Sequence, residues 1–185
     1  SELGASALAT VALVEAARVT SDPAALADAR ELGRGILSLQ DPSGEYRIHE
    51  FDHPSGAPRP NLCEYYPGEA ALAFVRLHSL DPDGPWLAAA ERGVRWIIEV
   101  RDAVPPEKQE HDHWLLYAFA DLHRLRPKPE YLAHVRRIVS AILGAQHRQH
   151  GRWDFTGGYY PTPFSTPAAT RSEGLGAACR LLREY

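Results

Sequence analysis

The sequence predicts an all-α fold made of repeated helical hairpins. Three observations carry that prediction. Apolar residues recur at spacings of three and four through most of the 185-residue chain, which is a helical period. Stretches opening on Pro23, Pro85 and Pro129 share one pattern: Leu26, Leu87 and Leu132 fall at equivalent places, and the stretches end on Ile36-Leu37, Ile97-Ile98 and Ile142-Leu143. A second kind of helix precedes two of them. Within it, Leu77-His78-Ser79-Leu80 matches Leu122-His123-Arg124-Leu125 at an offset of 45 (122 − 77), and Leu87 to Leu132 gives the same offset (132 − 87).

Taken in order, the elements run as follows. Residues 2–18 form the first helix. Its start, Leu3 to Val14, is rich in Ala, Leu and Val, but it lacks a basic leader and is bracketed by Glu2 and Glu15, so an amphipathic helix is expected rather than a secretory signal. The stretch from Pro23 to Leu37 begins with proline, which costs nothing at a helix start, and shows Asp28, Glu31 and Arg34 on one face. A helix from Gly68 to Leu80 is apolar nearly all round, and the one after Pro85 again carries charge on one side through Glu91, Arg92 and Arg95. The same alternation gives an apolar helix from Asp112 to Leu125 and a half-charged one from Pro129 to Leu143. A last apolar copy starts at Glu173, because Arg180-Leu181 matches Arg76-Leu77 and so sets Glu173 on Glu69.

Helices apolar on every side are buried, and helices charged on one face cover them. Alternating inner and outer helices build an α/α toroid or a partial, open toroid; an α-solenoid has the same local pattern. The loops favour the toroid. Inner-to-outer connections are short, whereas Asp41–Pro67, Asp102–Glu110 and His147–Thr166 are long and all leave the same side of the array. Ser43-Gly44 and Gly157-Gly158 resemble hairpin turns, so small β ribbons are expected in these loops. One domain spanning 1–185 is expected. The absence of Met and the helical pattern running to Tyr185 point to a piece of a longer chain.

Composition limits function. With 20 Lys and Arg against 24 Asp and Glu, the net charge of −4 argues against gripping a nucleic-acid backbone. No apolar run reaches the ~20 residues of a membrane span. Two cysteines, Cys63 and Cys179, make no disulfide framework, which fits a cytoplasmic location, and Cys179 is expected in the core of its helix.

The long loops hold Tyr46, Phe51, Tyr65, Tyr66, Trp153, Phe155, Tyr159, Tyr160 and Phe164. Such rings either plug the helix ends or offer plates for flat hydroxylated ligands such as saccharides. Three polar clusters stand where inner helices begin: Tyr65–Glu69, His111–Trp114 and Ser165–Gly174. Carboxylates in a first helical turn serve capping and the helix dipole. General acid–base chemistry uses the same groups when two of them face one cavity with separated pKa values. On that ground Glu69, Asp112, His113 and Glu173 are the catalytic candidates, and Tyr65, Tyr66, Trp114, Tyr159, Tyr160 and Arg171 are the substrate-binding candidates. Glu50, Asp52 and His53 rank second, as solvated loop residues. His78 and His123 repeat with the helices, which marks them as structural. His111-x-His113 with Asp112 and a remote Cys63 has zinc-ligand types at a weak spacing, so neither a metal nor a cofactor is expected.

The hairpin repeat, carried by Leu26, Leu87 and Leu132 and by Leu77 and Leu122, resembles the α/α-toroid superfamily of six-hairpin glycosidases, sugar 2-epimerases, polysaccharide lyases and terpenoid cyclases. The resemblance covers the whole chain and rests on architecture. It implies a site at the mouth where inner helices start. Four inner helices are present where a full toroid has five to seven, which implies an open ring, or completion by the rest of the same polypeptide or by a homo-oligomer. Three functions follow as expectations: a carbohydrate-active enzyme (hydrolase, lyase or epimerase) acting on a saccharide or other small molecule; a non-catalytic glycan- or peptide-binding scaffold; and a zinc-dependent, prenyltransferase-like toroid.

Overall fold

A computed structural model describes residues 2–185. The described chain is mostly helical, with seven α-helices and one two-stranded ribbon. It forms two compact units, the first ending at Ala103 and the second starting at Val104.

The first unit contains α1 (Leu3–Thr20), α2 (Pro23–Ser38), α3 (Tyr66–His78) and α4 (Trp86–Trp96), and α4 continues as a π-helical turn over Ile97–Arg101. Helix α3 buries every residue from Pro67 to Val75 as well as Leu77, as its all-round apolar sequence requires. Helices α1, α2 and α4 pack around it. Each buries one stripe: Ala25, Ala29, Gly33 and Ile36 lie on the core side of α2, at helical spacing. Asp22 caps α2 by accepting the Ala24 N–H at 2.8 Å, and Pro23 takes the first helical position. Asp81 ties the unit together, accepting Arg30 through one oxygen and Trp86 Nε1 through the other, both at 2.7 Å.

By length and composition α1 could cross a bilayer. In the fold it buries Leu3, Gly4, Ala7, Thr10, Val14 and Ala17 against α2 and α3, the face an amphipathic core helix needs.

In the second unit α5 (His113–Leu125), α6 (Pro129–Ala145) and α7 (Ser165–Glu184) pack against one another. Asp112 caps α5 by accepting the Leu115 N–H at 2.9 Å. The turn into α6 is closed by His123, whose Nδ1 accepts the Lys128 N–H at 3.3 Å, a structural role for a repeated histidine.

The repeat is visible in burial. Ile36, Ile97 and Ile142 are at most 1% exposed, while their neighbours Leu37 and Ile98 are half-buried and Leu143 is exposed. Leu77, Leu122 and Leu181 are completely buried.

Three local expectations change. Helix α7 begins at Ser165, eight residues before Glu173, because a proline at position 167 falls in the first turn, where no backbone N–H is needed. Glu173 therefore stands more than two turns inside the helix rather than at its tip. Cys179 is exposed, since α7 buries one stripe (Arg171, Gly174, Ala177, Ala178, Leu181) and Cys179 lies off it. The ribbon pairs β1 (Glu50–Phe51) antiparallel with β2 (Pro58–Arg59), away from both Gly-containing turns. Ser43-Gly44 instead forms a tight turn closed by a single Gln40–Tyr46 bridge, with Gly44 at φ 100°, where a side chain would be strained. The segment around Gly157 closes on His147, whose N–H donates to the Gly158 carbonyl at 2.9 Å.

Candidate functional site

In the second unit the start of α5 lies on α7 at Gly174. A Cβ there would stand 2.8 Å from His113 Cβ, 3.0 Å from His113 Cα and 3.0 Å from Leu116 Cδ1. The missing side chain is what lets the two helices close at this point. It brings His113, Arg171 and Glu173 into one neighbourhood, together with the preceding loop.

Arg171 is the centre of that neighbourhood. It is 5% exposed. Its Nε–H donates to His111 Nδ1 at 3.0 Å and its Nη2 donates to the Tyr160 hydroxyl at 2.9 Å. Its guanidinium lies 4.4 Å from the Tyr159 ring centre and 4.8 Å from that of Tyr160. Cation–π attraction offsets part of the cost of burying this charge. Tyr159 is buried and Tyr160 is 48% exposed, with its backbone in the left-handed region at φ 68°. For a non-glycine residue that backbone is strained, and the ring placement on Arg171 accompanies it.

Both histidines are pushed toward the neutral form. Burial pushes the His111 imidazole below its ordinary value, and the Arg171 charge adds to the effect. Its Nδ1 accepts from Arg171, so the proton sits on Nε2. Burial also lowers His113, with the Asp112 and Glu173 carboxylates pulling it up and Arg171 pushing it down. His113 is the first residue of α5, where the positive end of the helix further disfavours an imidazolium. Trp114 covers its ring at 4.6 Å between centres. Asp112 is completely buried with one oxygen on the helix cap, while Glu173 is exposed. Chemically, an imidazole acted on by two carboxylates and one guanidinium can accept and return a proton.

His111 also lines a cleft of about 650 Å³, with Pro106, Glu107, Arg137, Ser140 and Gly144. The loop before α7 carries the most exposed rings of this unit, Trp153 at 88% and Phe164 at 65%.

The remaining candidates belong to the first unit. Glu69 is buried in the first turn of α3, beside Gly4 of α1, where any side chain would overlap its carboxylate and the Tyr66 ring. Tyr66 donates to Glu2 Oε2 at 3.1 Å, and its phenol is pushed up to about 12 by burial and then by that carboxylate. Tyr65 is half-buried just before α3. Glu50 and Asp52 both clasp Arg59, so they hold the ribbon.

Sequence reasoning missed His49. Its Nε2 lies 3.0 Å from the Tyr46 carbonyl and its Nδ1 accepts the Cys63 N–H at 2.8 Å, which sets the proton on Nε2. Burial lowers its pKa. It lines a cleft of about 490 Å³ with Tyr46, Cys63, Trp96 and Arg101. A single histidine in a long loop carries no sequence signal for this. Among the described residues no three His, Cys, Asp or Glu side chains gather as a metal-holding group. Comparison with protein-family models and with curated proteins returns no match.

Proposed function

We propose that the second unit is a saccharide-handling site of a carbohydrate-active enzyme, with His113 as the proton-transferring base, Glu173 as its acidic partner and Asp112 orienting the start of α5. Tyr159, Tyr160, Trp114 and Arg171 bind the substrate. The observation that carries this reading is the closure of α5 on α7 at Gly174, which sets His113 in the electrostatic range of Asp112, Glu173 and Arg171. A histidine lowered by burial, with the Asp112 and Glu173 carboxylates acting on it, is an arrangement acid–base catalysis uses. Solvent-facing rings on the adjoining loop, Trp153, Tyr160 and Phe164, suit a sugar's apolar face.

The hairpin repeat is read as that of an α/α toroid, supported by the equal burial of Ile36, Ile97 and Ile142. The same exposed rings also favour a second reading, a glycan-binding domain without turnover.

Incubation of the full chain with a panel of neutral and acidic oligosaccharides separates the two. Reducing ends report hydrolysis, ultraviolet absorbance reports unsaturated lyase products, and NMR reports epimers. His113→Gln is expected to cut turnover by about 10²–10⁴, the usual worth of a general base. Full turnover in folded His113→Gln and Glu173→Gln variants refutes the enzyme reading. Binding without turnover selects the second.

A further inference from the structure

We infer that Arg171 is built to hold the carboxylate of an acidic ligand, so that the saccharide is a uronate. This rests on the saccharide reading of the same site. A guanidinium has five N–H donors. Arg171 uses one on His111 and one on Tyr160, which leaves three, and its Nη1 is buried with no partner at all. Among the described residues no carboxylate comes within ion-pair distance of it. A buried cation without a counter-ion is costly, and natural folds pair such charges. Here both partners are neutral, and the two tyrosine faces only reduce the cost. Nη1 and the second hydrogen of Nη2 have no acceptor, and paired guanidinium donors of this kind take a carboxylate through two parallel hydrogen bonds.

Charge selects the ligand class. Arg171 is the permanent positive charge that acts on His113, alongside the Asp112 and Glu173 carboxylates. A singly charged carboxylate adds one negative charge beside Asp112 and Glu173, and a phosphate dianion would add two. The Tyr160 ring, half in solvent, lies 4.8 Å from the guanidinium, and the proposal requires this ring to move for a ligand to reach Nη1.

The test is an NMR titration of the histidine ring signals in the labelled full chain, with D-glucuronate, D-glucose and inorganic phosphate as separate probes. His113 faces Asp112, Glu173 and Arg171, and His111 faces Arg171. A carboxylate on Arg171 cancels its field, so glucuronate moves both imidazole pKa values upward while glucose does not. Arg171→Gln weakens glucuronate binding at least tenfold. Because the wild-type titration stands by itself, a variant that fails to fold leaves the test intact. Equal effects of glucuronate and glucose, no effect of glucuronate, or phosphate acting at lower concentration than glucuronate each overturn the assignment. Glucuronate bound without turnover upholds it while removing the enzyme reading. Turnover of a neutral glycan with no response to glucuronate does the reverse.

Discussion

Replacing Gly174 by alanine adds a methyl carbon 2.8 Å from His113 Cβ and 3.0 Å from both His113 Cα and Leu116 Cδ1. Two of those atoms are fixed to the α5 backbone, so the helix itself must shift. In an open helical position the same change stabilises by about 0.4–1 kcal/mol, through propensity and a less flexible unfolded chain. Overpacking a closed contact costs about 1–3 kcal/mol. The difference runs from near zero to about 2.6 kcal/mol, so Gly174→Ala is expected to destabilise by up to about 2.6 kcal/mol, with loss of saccharide binding as His113 moves from Arg171. Gly176, two residues on, supplies the control: a Cβ there meets only the flexible Arg180 Nη1 at 3.7 Å. Gly176→Ala should stabilise by about 0.4–1 kcal/mol. Urea unfolding of both variants reads the difference, which in melting temperature is about 2–4 °C per kcal/mol for a chain of this size. If Gly174→Ala is as stabilising as Gly176→Ala, α5 does not close on α7 as described, and the site built on that contact falls with it.

Further outcomes follow from other contacts. Asp112→Ala removes the cap on Leu115 and should cost about 1–2 kcal/mol in urea unfolding, whereas Asp112→Asn keeps most of it; equal stability of Asp112→Ala and wild type would deny the cap. Trp86→Phe leaves Asp81 without one of its donors and should cost about 1–3 kcal/mol, read by the same unfolding assay. His49, His111 and His113 all have folded pKa values lowered by burial. Below about pH 6.5 the unfolded chain therefore binds more protons than the folded one, and stability falls as pH drops from 7 toward 5. A flat or rising unfolding free energy across that window would mean these rings are solvated.

Much of the helical framework was legible because burial imposes a period. The terminal pairs of the outer helices show it: Ile36, Ile97 and Ile142 are buried and their neighbours less so, a pattern written directly in spacing. Helix ends were less legible. Proline at 167 reads as a breaker in a linear scan, yet in a first turn it breaks nothing, so α7 runs eight residues further back than its repeat indicates. Cys179 and the loop aromatics show a second limit. Composition marks a residue as apolar but does not say which stripe of a helix has a neighbour, and Tyr46 is buried while Trp153 stands in solvent. In the site, residue types were readable and pairings were not. Arg171 announces a charge in the sequence, but that its partners are His111 and two tyrosines, with no carboxylate among the described residues, depends on contacts 11 and 60 residues apart.

On the proposed reading, Arg171, His113 and the tyrosine pair form one ligand site. A crystal structure of the full chain grown with an oligouronate tests it most directly. The expected result is a sugar carboxylate on the Arg171 guanidinium, with the Tyr160 ring displaced and the sugar within hydrogen-bond reach of His113. Arg171 found paired to a carboxylate of its own chain, with the saccharide bound elsewhere or absent, would contradict it.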